Sequence, residues 1–191
     1  QTIGPMVRTP SIGAIDNGGS ITALLLLARE LEKRPAGTGS TVRIVFIASE
    51  EERTLGSWAY AKDLLDERKQ DEEELLNKLM VVNLETIGTS DELAYIPEDG
   101  FATRRFFSSQ AIIDFVNDGA ELVYGKPLES RELPFGTLTD GRSFLAHGFE
   151  AITLRSLESD QFPHGLHSEY DSRDRLSING IERSVSLLKT L

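Results

Sequence analysis

The sequence predicts an α/β fold, a mostly parallel, mixed β-sheet sandwiched by helices. Three observations predict it. The run Val42–Ala48 is apolar throughout except for Arg43, and "KLMVVNLE" ending at Glu85 is nearly as continuous. Strands buried on both faces read this way, whereas half-exposed strands alternate. Segments with helical spacing fall between the strands, so crossovers bring the strand C-termini to one edge, where open α/β sheets place their ligands.

The elements follow in order. Residues 1–19 are punctuated by Gly, Pro and Ser and read as loop. Ser20 is the expected cap of a helix to about Lys33, with Ile21, Leu24, Leu25, Ala28 and Leu31 at helical spacing. "RPAGTGS" is a connection, and Val42–Ala48 is the first strand. Helices are expected over 56–67 and 70–78, then a strand over 79–85 and a helix over 101–116. "ELVYG" (Glu121–Gly125) reads as a short strand and Thr139–Ala146 as a short helix. "EAITLRS" (Glu150–Ser156) is a third buried strand, and Ile178–Leu191 closes the chain as a helix. The whole of 1–191 reads as a single domain.

Composition narrows the chemistry. The 191 residues carry a net charge of −11, which argues against a nucleic-acid backbone or an anionic membrane as partner. No apolar run approaches the ~20 residues of a membrane span. No basic stretch followed by an apolar one opens the chain, so no signal peptide is read. There is no cysteine, which excludes disulfides, thiolate metal sites and a cysteine nucleophile. The histidines are His147, His164 and His167, so a metal site must lean on carboxylates.

Four segments place such groups at loops or strand ends. Asp16 lies in "GAIDNGGS" just before a helix, and Glu50 and Glu51 close the first strand. Glu85 closes the second, and His167 lies in "FPHGLHSEYDSRD". Each alone is ordinary: a turn, a solvated loop start, a strand end, a local cap. Together they offer one imidazole and several carboxylates, a donor set suited to a divalent metal such as zinc.

In order, these segments resemble the co-catalytic di-zinc aminopeptidases, zinc-dependent exopeptidases of the peptidase family M28 type. "GAIDNGGS" is similar to the stretch that supplies the metal-bridging aspartate, which implies that role for Asp16. "SEEERTLGS" resembles the Glu-Glu strand end, implying Glu50 as general base and Glu51 as a zinc ligand. "NLETIG" matches the next ligand segment except that Glu85 stands where the family has aspartate. "TDGRSF" resembles a Ser-Asp-x-x-x-Phe helix, with Asp140 and Phe144 at the matching positions. "HSEYD" implies His167 as the last ligand and Asp171 at the following motif position, and Tyr170 is a weaker candidate for steadying an oxyanion.

The resemblance implies one or two zinc ions, a peptide substrate, hydrolysis at its N-terminal residue, and an extracellular or periplasmic location. It also exposes a departure. The family has a histidine in His-x-Asp upstream of the bridging aspartate, and here Ile3 and Pro5 stand at those positions. Family domains are longer than this chain, so the first strands of the full domain are expected to be missing. Two alternatives stay open: a non-catalytic relative that has lost a ligand, and a mono-zinc acyltransferase that cyclises N-terminal glutamine.

Overall fold

The structure, a computed structural model, describes residues 11–35, 41–70, 78–101, 104–134, 136–158 and 163–191. In chain order the elements are α1 (Gly19–Leu31), α2 (Leu55–Arg68), β1 (Met80–Glu85), β2 (Leu93–Ile96), β3 (Glu98–Phe101), β4 (Arg104–Phe107), α3 (Gln110–Tyr124), β5 (Glu129–Ser130), α4 (Gly141–Ala146), β6 (Glu150–Ser156) and α5 (Ile178–Thr190). A short π-helical turn, Ala14–Gly18, leads into α1.

The main sheet has the order β1-β6-β2-β5. β1 runs parallel to β6, β6 antiparallel to β2, and β2 parallel to β5. Strand side chains alternate between faces, and the contacts follow that period. On one face, Leu84, Ile152 and Leu154 pack with Ala23 and Leu27 of α1, Ile112 and Val116 of α3, and Ile181 and Val185 of α5. On the other, Ala151 packs with Ala61 and Leu64 of α2 and Phe144 of α4. The sheet therefore lies between helical layers, as the sequence predicts.

The parallel β1–β6 pair decides where chemistry can occur. Its register pairs Asn83 with Thr153 and Glu85 with Arg155. By alternation all four belong to the α2/α4 face, and Glu85 and Arg155 stand at the C-terminal ends of their strands.

Four expectations need correction. Val42–Ala48 forms no strand: it makes no backbone ladder to any described residue, and Val42 and Phe46 are half-exposed. Ile44 packs against one core and Ile47 against the other, so side chains anchor this segment without hydrogen-bonded pairing. The helix expected over 101–116 begins only at Gln110. Before it, Glu98–Phe101 and Arg104–Phe107 pair as a hairpin. Gly100 (φ 143°) permits that pairing, because a Cβ there would lie 2.1 Å from the Arg104 carbonyl oxygen. Ser109 then caps α3 by accepting from the Ile112 N–H. "ELVYG" is the last turn of α3, closed by left-handed Gly125, because the apolar period of Ile112, Val116 and Ala120 carries the helix through it. Ser20 lies inside α1 rather than capping it. Its hydroxyl donates to the Asn17 side chain and accepts from the Ile87 N–H. The helix expected over 70–78 falls almost wholly on residues outside those described.

Gly19 lets α1 approach the end of β1. A Cβ there would lie 1.8 Å from the Ile87 carbonyl oxygen. Helix propensity alone would make Gly19→Ala stabilising by about 1 kcal/mol. Backbone overlap reverses that sign, so the variant should unfold at lower denaturant than the parent.

Candidate metal centre

The site forms where segments converge beyond the C-terminal ends of β1 and β6. They enclose a cleft of about 150 Å³. Its acidic lining is Asp16, Glu50, Glu51 and Glu85, with His167, Arg53 and Arg155 beside them.

Asp16 is held from two sides. Asn17 Nδ2 donates to the Leu84 carbonyl (3.0 Å), and Asn17 Oδ1 accepts from the Thr86 N–H (3.1 Å). These bonds tie the loop to the end of β1. On the other side, buried Asp171 accepts from the Ile15 N–H (2.5 Å) and the Ser11 hydroxyl (2.9 Å). Asp171 thus positions the backbone next to Asp16 and has no place in the cleft lining itself.

His167 Nε2 lies 3.0 Å from Asp16 Oδ2 and 3.0 Å from Glu51 Oε1. Ligand atoms of these three residues all lie within 4.8 Å of one another. Non-glycine residues with positive φ gather here: Arg53 (64°), Thr54 (59°), Thr86 (46°) and His167 (55°) line the cleft, and Ser49 (62°) precedes Glu50. Such conformations cost on the order of 1 kcal/mol each and persist only where the surroundings enforce them.

The electrostatics are those of crowded negative charge. Burial pushes the Glu50 carboxyl up to about 7, with repulsion from Glu51, Asp140 and Asp16 adding to it. Glu85 rises well above the usual carboxylate range, again first from burial and then from Glu50, Asp16 and Asp140. Burial also raises Asp140. His167 is raised by its hydrogen bond to Asp16, with Glu51 assisting against desolvation. Two carboxylates and an imidazole facing one point, amid repulsion that a cation would relieve, fit a divalent metal. Asp16, Glu51 and His167 would hold it, with Glu50 and Glu85 adjoining.

The other sequence candidates lie as follows. Asp140 is the residue before α4; it acts on Glu50 and Glu85 through its charge, and its Oδ1 is buried without a hydrogen bond. Tyr170 is exposed, its ring 6.5 Å from that of His164, and it does not line the cleft. His147 is structural: Nδ1 lies 2.7 Å from the Ser143 carbonyl and the ring meets Trp58 edge-on. Ile3 and Pro5 lie outside the described residues.

Sequence reading missed three contributors. Asn17 latches the Asp16 loop, and buried Asp99 accepts from the N–H and hydroxyl of Thr139 (3.0 and 2.6 Å), fixing the cleft wall. Arg155 enters the cleft from β6. A lone charged residue near the end of an apolar strand was its only visible signal.

The raised groups set a pH dependence for the metal-free protein. Carboxyls raised on folding, Glu50 to about 7 and Asp99 to about 6, favour the folded state below their unfolded values near 4.5 and 3.8 and lose that contribution as pH rises through the folded ones. Raised His167 acts in the same direction. The lowered groups, such as Glu30 at about 2, titrate below this window. Metal-stripped protein should therefore melt at a higher temperature at pH 5 than at pH 8, by roughly 5 °C. Added zinc should raise the pH 8 value most. Thermal melts at both pH values, with and without zinc, check this.

Comparison with solved structures gives the same fold in several enzymes. An aminopeptidase from Bacillus subtilis, BSAP, described as a zinc aminopeptidase, superposes with a TM-score of 0.72 at 22% identity, over 95% of this chain and 42% of that one. The aminopeptidase from Aneurinibacillus sp. strain AM-1 gives 0.70 at 20% identity, over 93% and 38%. A glutaminyl cyclase from Bacteroides thetaiotaomicron gives 0.63 at 18%, over 96% and 63%. At these identities the likeness establishes the fold alone, and the chain spans about two fifths of the aminopeptidases' length. No curated protein matches the sequence. The model of peptidase family M28 matches residues 2–191, essentially end to end, and the chain belongs to that family.

Proposed function

We propose that this chain carries the site of a zinc-dependent aminopeptidase, which hydrolyses the N-terminal residue from a peptide. The observation that carries the proposal is the meeting of Asp16, Glu51 and His167 around one point, with Glu50 beside them. Zinc bound there would supply Lewis acidity and an acidified water. The chain's own residues do the rest. Glu50, held near neutrality, is suited to take a proton at a carboxylate oxygen and return it to the leaving amine. Asn17 and Asp171 keep Asp16 in place. Glu85, one methylene longer than the family's aspartate, remains within carboxylate reach of the same cleft. An extracellular or periplasmic location belongs to the proposal, supported by family habit.

A second reading is cyclisation of N-terminal glutamine on a single zinc. The specific observation favouring it is that the described cluster gathers three donors around one point, alongside the fold shared with the Bacteroides cyclase. Product mass separates the two, since hydrolysis adds water and cyclisation releases ammonia.

Glu50→Gln should lower kcat by about 10²- to 10⁴-fold while the zinc content stays at the parental level. A loss of zinc equal to the loss of turnover would make Glu50 a ligand instead of a base. Asp171→Asn should weaken zinc affinity about 10-fold or more with kcat at saturating zinc little changed, because its effect passes through the Asp16 loop. Zinc titrations of each variant, read alongside kcat, check both.

A further inference from the structure

A buried cation in the cleft has no task in hydrolysis. Arg155 is 7% exposed, yet it lines the cleft. Among the described residues no carboxylate lies within 4 Å of its guanidinium and none accepts a hydrogen bond from its side chain. Glu158 and Glu85 act on it only at longer range. A guanidinium stays charged, and burying it unpaired is costly unless something else completes its donors.

We propose that Arg155 is the specificity-determining residue of this cleft, binding the side-chain carboxylate of an N-terminal glutamate or aspartate. The proposal rests on the aminopeptidase reading. The β1–β6 register sets Arg155 beside Glu85 on the same sheet face, so a carboxylate on its guanidinium lies next to the reacting end of the substrate. Leu133, Pro134, Leu138 and Leu166 add apolar wall to the cleft. An acidic side chain matches both features: methylenes against the wall and two oxygens on the guanidinium fork. An N-terminal leucine would desolvate the guanidinium and leave its N–H groups unpaired, and a basic residue would be repelled. The net charge of −11 slows the approach of acidic peptides, but contact with a buried cation decides selectivity once they are bound.

The test compares kcat/KM of the zinc-loaded chain on the p-nitroanilides of glutamate, aspartate and leucine, which lack an α-carboxylate. Glutamate or aspartate should exceed leucine by about 100-fold, and Arg155→Met should cut that ratio at least 10-fold. A parent that prefers leucine, or a ratio unchanged in Arg155→Met, overturns the proposal. If Arg155→Met does not fold, Arg155→Lys keeps the charge without the fork and should still reduce the ratio. Absence of turnover on every substrate would sink the aminopeptidase reading instead. The carboxylate assignment is then read by calorimetry with free glutamate and leucine. Tighter glutamate binding that disappears in the variant upholds it, and equal binding overturns it. A preference for Leu-Gly over Leu-Gly-amide without preference for glutamate would move the carboxylate to the peptide's end and overturn the side-chain assignment.

Discussion

Four carboxylates converging on one end of a parallel strand pair are the constraint on which the rest of this structure depends. Asp16, Glu50, Glu51 and Glu85 share a cleft of about 150 Å³. Unrelieved, their mutual repulsion and burial would favour opening the segments that carry them. Two responses are visible. Glu50 and Glu85 hold their protons far more tightly than exposed carboxylates do. His167 places its imidazole between Asp16 and Glu51 and gains basicity from it. Both describe a site built for positive charge, and a divalent cation is the simplest species that satisfies all the groups at once.

The fold holds that charge together through polar contacts distant in sequence. Asn17 bonds to the end of β1, and Asp171 reaches back across more than 150 residues to the Ile15 N–H. Asp99, Thr139, Thr153 and Asn83 form a chain of hydrogen bonds beneath the cleft wall. Left-handed backbone is held at Thr86 by its N–H bond to the Asn17 side chain, and at Thr54 by its N–H bond to the Glu50 carbonyl and by the bond its hydroxyl accepts from the buried Ser143 hydroxyl. Removing one clamp should loosen the donor geometry before it unfolds the domain, which is why Asp171 is assigned to positioning.

Much of this was legible in the sequence, and the reasons are local. Asp16 among glycines, a glutamate pair after an apolar run, and His167 in a short polar loop are each short-range patterns, and the structure brings them together. What escaped depends on partners far along the chain. Val42–Ala48 reads as a buried strand because apolarity is intrinsic to it, but pairing needs a neighbouring backbone. "RRFF" carries no clear period, so β4 falls inside the helix expected over 101–116, whereas its pairing with β3 and the Ser109 cap start that helix only at Gln110. Arg155 acquires meaning only when the β1–β6 register sets it beside Glu85. Tyr170 shows the opposite failure: its closeness to His167 in sequence does not carry it into the cleft.

The central claim is that Asp16, Glu51 and His167 hold one metal ion between them. It is tested most directly by anomalous diffraction at the zinc edge from crystals of the zinc-loaded protein. The account predicts a peak at bonding distance from His167 Nε2 and from a carboxylate oxygen of both Asp16 and Glu51. Ordered density for all three side chains with no peak between them, in protein saturated with zinc, would contradict it.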